Sequence, residues 1–266
     1  MRTADGENRC AGNGGRGLCT LLGLAVAAYA LLMRPRLLRW GATDEEVKQP
    51  YPGAGLIPGG TRGATMAVTI EAPPASVWPW LVQMGYDRAG YYSWDRLDNL
   101  GRPSADRIHP EWQQISLGGR VTAMGRDAGW TVAALEPARF LGLRASYDLS
   151  GREFDPAGPR PRFYTDSLWG FLLKELPGGR TRLIVSGSWA FRPRWLQPIA
   201  SFLFLEPAHW IMQMRQFANL KRYAERDRRW NIHGGDAPEQ PPAVREAGSA
   251  RFQTEAAPAG KGISFR

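Results

Sequence analysis

The chain has 266 residues and an ordinary 43% of hydrophobic side chains, enough for one or two domains with a sizeable core. Its net charge of +9 is unevenly spread: residues 1–40 hold six basic and two acidic residues and 215–229 hold six and two, whereas 41–214 hold eighteen and seventeen and 230–266 four and four. A nearly neutral body speaks against a nucleic-acid partner, and an excess beside an apolar segment and at the end of a late helix suits an anionic membrane surface better.

The first element is Gly17 to Met33, an uncharged run with Arg16 before it and Arg34, Arg36 and Arg39 after it. It is at the short end of what a bilayer requires, about 17–25 residues. Arg34 and Pro35 follow at once, a poor context for signal cleavage, and no polar face marks it as a core helix. It reads as a single membrane anchor within an N-terminal segment 1–40. The denser arginines on its C-terminal side favour a cytoplasmic body. The only cysteines, Cys10 and Cys19, lie before or within this run, so the body has no disulfide framework, thiolate metal site or cysteine nucleophile.

Residues 41–60 are rich in Pro and Gly and read as an extended linker. A domain over 61–229 follows. Thr65 to Ile70 alternates as a half-buried strand. Prolines 73 and 74 then stand where a helix can start, and Val77, Trp80, Leu81 and Met84 fall at helical spacing up to Gly85. Strands are expected at 120–123, 129–136, 139–145, 167–175 and 181–191, the last two forming a hairpin through Pro177 to Arg180. In that hairpin Trp169, Phe171 and Leu173 share a face, as do Leu183, Val185, Gly187, Trp189 and Phe191; the opposite face can meet water, with only Ile184 out of pattern. Gly170 and Gly187 are candidate thin places in the sheet. Trp195 to Leu205 is nearly all apolar, and Glu206-Pro207 should interrupt it. A long helix then runs from Pro207 to about Arg229, with an apolar stripe of Trp210, Met214 and Phe217 joined by Ile211 and Ala218. Residues 230–266 lack periodicity and read as a disordered tail. Strands bracketed by a short and a long helix imply an α+β fold, an antiparallel sheet with helices on one face.

Between the first helix and the second strand lies YYSWDRLDNLGRPSADRIHPEW, residues 91–112, which packs aromatics and charges together without a clean period. Aromatic bodies with a few convergent polar tips are what small-molecule pockets are made of. This run, with Thr69-Ile70-Glu71-Ala72-Pro73-Pro74, the helix from Val77 to Gly85, and Leu117-Gly118-Gly119-Arg120-Val121, resembles the SRPBCC superfamily: the START, Bet v 1 and polyketide cyclase/dehydrase-like proteins, and within them an uncharacterised, largely actinobacterial branch. The resemblance spans about residues 41–229. It implies a helix-grip fold, a curved sheet of about seven strands wrapped on a C-terminal helix with a deep apolar cavity between. It implies no single activity, since members bind lipids, sterols and polyketides and only some catalyse.

Little catalytic chemistry is legible. His109, His209 and His233 show no metal-ligand spacing, so no metal is expected, and no phosphate loop or dinucleotide fingerprint calls for a cofactor. Acid–base work by His109, Asp106 and Tyr92 is the one enzymatic arrangement the residues allow, as in a cyclase or dehydratase. Against it stands a structural reading in which Asp95, Asp98 or Asp106 pairs with Arg107 to pin the loop, and His209 is a satisfied structural histidine. The favoured expectation is binding without chemistry, a carrier or sensor whose hydrophobic ligand meets Tyr91, Tyr92, Trp94, Asp95, Arg107, Trp112, Trp169 and Trp189. A third reading is a membrane-tethered interaction module working through the tail.

Overall fold

The computed structural model describes residues 11–123 and 128–232, with side chains over 18–123 and 128–229. The tail expected to be disordered lies outside the described residues, apart from a helical backbone that continues to Ile232.

The chain opens with helix α1 (Ala11–Ala28), a π-turn (Tyr29–Met33) and helix α2 (Arg34–Leu38). Within this stretch, Leu18–Leu38 is long and apolar enough to cross a membrane, with a mean hydropathy of 1.7, and none of it is buried in the protein. Such exposure is unlike a core helix.

The segment 41–60 corrects the expectation of an extended linker. Thr43 opens helix α3 (Asp44–Lys48) with a reciprocal cap: the Glu46 amide donates to Thr43 Oγ1 at 3.2 Å, and the Thr43 amide donates to Glu46 Oε2 at 2.8 Å. Arg62 then donates to the carbonyls of Val47 (2.9 Å), Gln49 (2.6 Å) and Glu46 (3.0 Å), and Arg182 pairs with the Glu46 carboxylate at 2.8 Å. Tyr51 and Ile57 descend from this strap into the sheet and are buried there.

The sheet has six antiparallel strands in the order β1-β6-β5-β4-β3-β2: β1 (Thr61–Ile70), β2 (Arg120–Thr122), β3 (Gly129–Glu136), β4 (Phe140–Asp148), β5 (Tyr164–Leu176) and β6 (Arg180–Arg192). The seventh strand implied by the resemblance is absent among the described residues. Between helix α4 (Pro74–Val82) and β2 the chain holds helix α5 (Asp95–Asp98) and a 3₁₀ turn (Pro110–Trp112). Tyr92 and Leu100 there take left-handed backbone angles, φ 58° and 51°, which an extended strand cannot contain.

The inner face follows the sequence pattern. Met66, Ile70, Leu141, Leu143, Phe171, Leu173, Leu183 and Val185 pack against Val77, Trp80 and Leu81 of α4 and against Phe217, Leu220 and Tyr223 of the terminal helix α7 (Glu206–Ile232). The outer face does not meet water as expected. Ile184, which broke the alternation, packs with Tyr51, Ala67, Phe140 and Leu172 under the strap. A side-chain carbon at Gly170 would lie 2.7 Å from the Tyr51 ring, so that glycine admits the strap and is not a thin place over a cavity.

Two expectations for the last helix also change. Leu196–Ala200 (α6) and a π-turn at Ser201–Leu205 run into α7 without a break at Glu206-Pro207. The wider turn spares the hydrogen bond that Pro207 cannot donate. Of the expected apolar stripe on α7, Phe217 is in the core and Trp210 packs against it, Met214 is half-buried, and Ile211 and Ala218 are exposed; the buried face runs through Gln213, Gln216, Phe217, Asn219, Leu220, Tyr223 and Ala224.

Candidate functional site

Three amides in this buried face recur every third residue. Gln213 donates to Gln216 Oε1 at 2.8 Å, Gln216 to the Tyr91 carbonyl at 2.9 Å, and Asn219 to the Tyr92 carbonyl at 2.8 Å. They hold the 91–92 backbone along α7. The left-handed turn at Tyr92 sends the two tyrosine rings to opposite sides. Tyr92 enters the core between Trp80 and Tyr223, at ring centroid separations of 5.7 and 6.1 Å. Tyr91 lies edge-on to Trp130 at 5.6 Å, and its hydroxyl donates to the Thr122 carbonyl.

On the Tyr91 side the sheet and α7 do not close. A cavity of about 470 Å³ lies there, within the usual range of small-molecule pockets. Trp130, Trp169, Trp189 and Met212 supply much of its apolar wall. Gly187 lines it too, but a side-chain carbon there would lie 1.8 Å from the Leu168 carbonyl oxygen, so it is the close neighbouring strand that demands glycine. The aliphatic layer that fills the rest of the core ends at Val185, and α7 offers amides and His209 opposite instead.

The polar groups in the wall are few. Ser93, Asp98, His209, Gln213 and Gln216 reach it, with Ser167 and Ser186 from the sheet. Trp169 Nε1 is buried without a hydrogen-bond partner among the described residues, and Ser93 Oγ and the Asp98 carboxylate oxygens are buried with no partner there but a weak attraction for each other. Burial pushes the Asp98 carboxyl up to about 6, with Ser93 opposing that shift only in part. Burial pushes His209 down to about 4, so its ring is neutral at pH 7. Unpaired polar atoms in an apolar wall are costly unless something meets them, which is how a pocket selects a guest.

Of the residues expected at the site, Tyr91, Trp169 and Trp189 line this cavity. Tyr92 is tied to Gln83, which donates to its hydroxyl at 2.8 Å. Trp94 lies outside, half-exposed beneath Arg215. Asp95 is a loop clasp, accepting from the Ser104 amide (3.0 Å) and hydroxyl (2.7 Å). Trp112 stacks on His109 at 4.1 Å, and the His109 ring meets Glu111 at 3.0 Å, away from the cavity. Asp106 and Arg107 are exposed, and among the described residues no carboxylate forms an ion pair with Arg107. The loop is pinned instead by Gln83, whose amide also donates to the Arg107 carbonyl at 3.1 Å and whose carbonyl accepts from the His109 amide at 3.0 Å. The acid–base set His109, Asp106 and Tyr92 is therefore not assembled in the cavity.

The carboxyl that does enter the cavity is Asp98, and His209, which meets the Gln213 side chain, lines the wall with it. No periodic signal marked either; only the position of α5 against α7 reveals them. Among the described residues no three His, Cys, Asp or Glu side chains converge to hold a metal ion.

The fold and this cavity define an α+β helix-grip protein. No family model and no curated protein matches the chain. Among solved structures it is similar to a protein from Arthrobacter aurescens (16% identity over 60% of this chain and 86% of that one, TM-score 0.39). It is also similar to DynU16, a protein of the dynemicin biosynthetic locus (18%, 59% and 46%, TM-score 0.35), and to CalU16 from Micromonospora echinospora (15%, 67% and 93%, TM-score 0.29).

Proposed function

We propose that this protein is a membrane-anchored member of the SRPBCC group that binds a hydrophobic small molecule, lipid- or polyketide-like, between its sheet and terminal helix. The observation that carries the reading is the cavity itself: about 470 Å³ walled by Tyr91, Trp130, Trp169 and Trp189, with the Asp98 carboxyl and the Ser93 hydroxyl buried beside each other in it. Rigid aromatic walls supply contact area, and the few buried polar groups orient a guest. The exposed apolar helix Leu18–Leu38 would keep the binding body at a bilayer, the natural reservoir of such guests.

Native mass spectrometry of the protein purified from its own host tests this. A co-purified apolar compound is expected, and Met212→Trp, which fills the cavity from α7, should remove it while leaving the melting temperature near that of the parent. A wild-type protein that carries nothing and binds no apolar dye would count against the proposal.

One observation favours a second reading, acid–base catalysis of the cyclase or dehydratase kind. A carboxyl held near pH 6 inside an apolar cavity can give and take a proton near neutrality. Asp98 would fill that role, in place of His109, Asp106 and Tyr92. Chemical change in a bound compound that stops in Asp98→Asn, with binding retained, would distinguish catalysis from carriage.

A further inference from the structure

The connection between β6 and α7 exposes apolar side chains out of proportion to its length. Trp195, Ile199, Leu203, Phe204 and Leu205 all lie exposed in eleven residues, Trp195 and Phe204 by 67% and 68%. Trp195, Ile199 and Leu203 recur every fourth residue and so share a helical face.

This face adjoins the N-terminal helix. Phe202 packs edge-on against Tyr29 at 5.1 Å. Arg34 grips Glu206 with two hydrogen bonds of 2.6 and 2.8 Å, its guanidinium 5.8 Å from the Phe202 ring. Arg34 ends the uncharged run and marks the level at which headgroups would begin. Tyr29 lies five residues earlier, about 7–8 Å deeper along the axis. Phe202 then sits at the depth, about 5–10 Å, that surface-lying helices reach in a bilayer.

Beside this segment is a groove of about 830 Å³ at the open corner of the sheet, lined among others by Arg34, Arg62, Arg160, Arg192 and Arg194. Its one acidic lining residue, Glu206, is taken by Arg34. Arg62 holds the strap and Arg160 lies 3.4 Å from Asp166. Arg192 and Arg194 are exposed and have no ion-pair partner among the described residues. Ala64, Trp189 and His209 line both this groove and the apolar cavity.

We infer that Trp195–Leu205 is embedded in the bilayer surface next to the N-terminal helix, and that Arg192 and Arg194 engage the phosphates of anionic phospholipid there. The groove thereby opens at headgroup level, and the wall it shares with the cavity gives an amphiphile a route inward, its anionic head on the arginines and its tail toward Trp189. The inference rests on the N-terminal helix being a bilayer span.

The test uses the full chain with Cys10→Ser and Cys19→Ser, a single Leu203→Cys carrying an environment-sensitive fluorophore, and nanodiscs of phosphatidylcholine with or without phosphatidylglycerol. Ala218→Cys, on the exposed side of α7, is the control position. The Leu203 label should be blue-shifted and quenched by lipid-borne nitroxide in anionic discs, and the Ala218 label should not. Adding Arg192→Gln and Arg194→Gln should lower the docked-to-undocked ratio in anionic discs by roughly 30-fold. A Leu203 label that stays in water while the protein elutes with the disc overturns the docking and spares the span. Protein eluting apart from the disc overturns both. A blue-shifted label that lipid cannot quench shows a second copy covering the face, and insensitivity to phosphatidylglycerol and to both arginines overturns the anionic headgroup; each result refutes the inference as stated.

Discussion

Asp98 and His209 share one cavity wall but respond to pH in opposite senses. The Asp98 carboxyl is raised in the folded state, to about 6, so folding takes up a proton between about pH 4 and 6 and stability from this group falls as pH rises through that window. His209 is lowered to about 4, so the unfolded chain binds the extra proton and stability from this group falls as pH drops from about 6.5 toward 4. Asp98→Asn should therefore stabilise the empty protein by about 1–2 kcal/mol above pH 7, a gain that vanishes below pH 4, read from denaturant melts across pH. His209→Gln should flatten the acid limb of the same curve. Asp166 is a different kind of buried carboxylate. Arg144 meets it twice, at 2.9 and 2.7 Å, and the Ser146 hydroxyl donates to it at 2.9 Å. Asp166→Ala strands Arg144, and a loss of about 3–5 kcal/mol is expected in the same melts. Nothing in the local sequence separates Asp98 from Asp166 or Asp95: Asp95 is met within its own loop by Ser104, Asp166 by Arg144 and Ser146 of β4, and Asp98 is buried at the cavity wall.

At the scale of elements, periodicity carried far on the face that meets the main core. The β5–β6 hairpin is the clearest case: Trp169, Phe171 and Leu173 face the core with Leu183 and Val185 as their alternation predicts. It failed where the opposing surface is made by a distant segment. Ile184 looked like an error of pattern and is an anchor for the strap, whose Tyr51 hydroxyl donates to the Gly170 carbonyl at 2.7 Å and lies 3.1 Å from that of Ile184. A capping signature at Thr43 and Glu46 stood in the sequence and could have exposed the strap. On α7, hydropathy found Phe217 and Trp210 but not the rest of the buried face, because amides occupy much of it. Asn219→Ala should leave the Tyr92 carbonyl unsatisfied, at a cost of about 1–3 kcal/mol. Because the turn at Tyr92 is held in a left-handed conformation, hydrogen exchange should accelerate locally over residues 90–94 before it does elsewhere.

For the molecule as a whole, the N-terminal helix and the body are less separable than their composition suggests. Trp40 follows the apolar run directly, stacks on Phe217 at 6.3 Å, and accepts the Ala67 amide through its carbonyl at 3.0 Å. A chain starting at Arg36 should be soluble and folded, while the full chain sediments with membranes and resists extraction by salt. A chain starting at Thr43 loses the Trp40 ring and should be less stable than the first by about 2–3 kcal/mol. If the full chain fractionates as a soluble protein, the anchor is refuted and the cavity proposal is untouched.

The sequence alone determined the order and kind of most elements, the apolar helix at the start, and the aromatic character of one sheet face, because hydrophobic periodicity and turn residues act over a few neighbours and survive in any fold. Tertiary structure alone decided which aromatics face a void. Tyr91 and Tyr92 are adjacent and chemically identical, yet a left-handed turn clamped by Gln216 and Asn219 puts one in the cavity and the other in the core. Likewise, whether Asp98 is a surface carboxylate or a group with a raised pKa depends on its lining one cavity with a helix that comes more than a hundred residues later. Packing, and the water it excludes, sets those chemical roles.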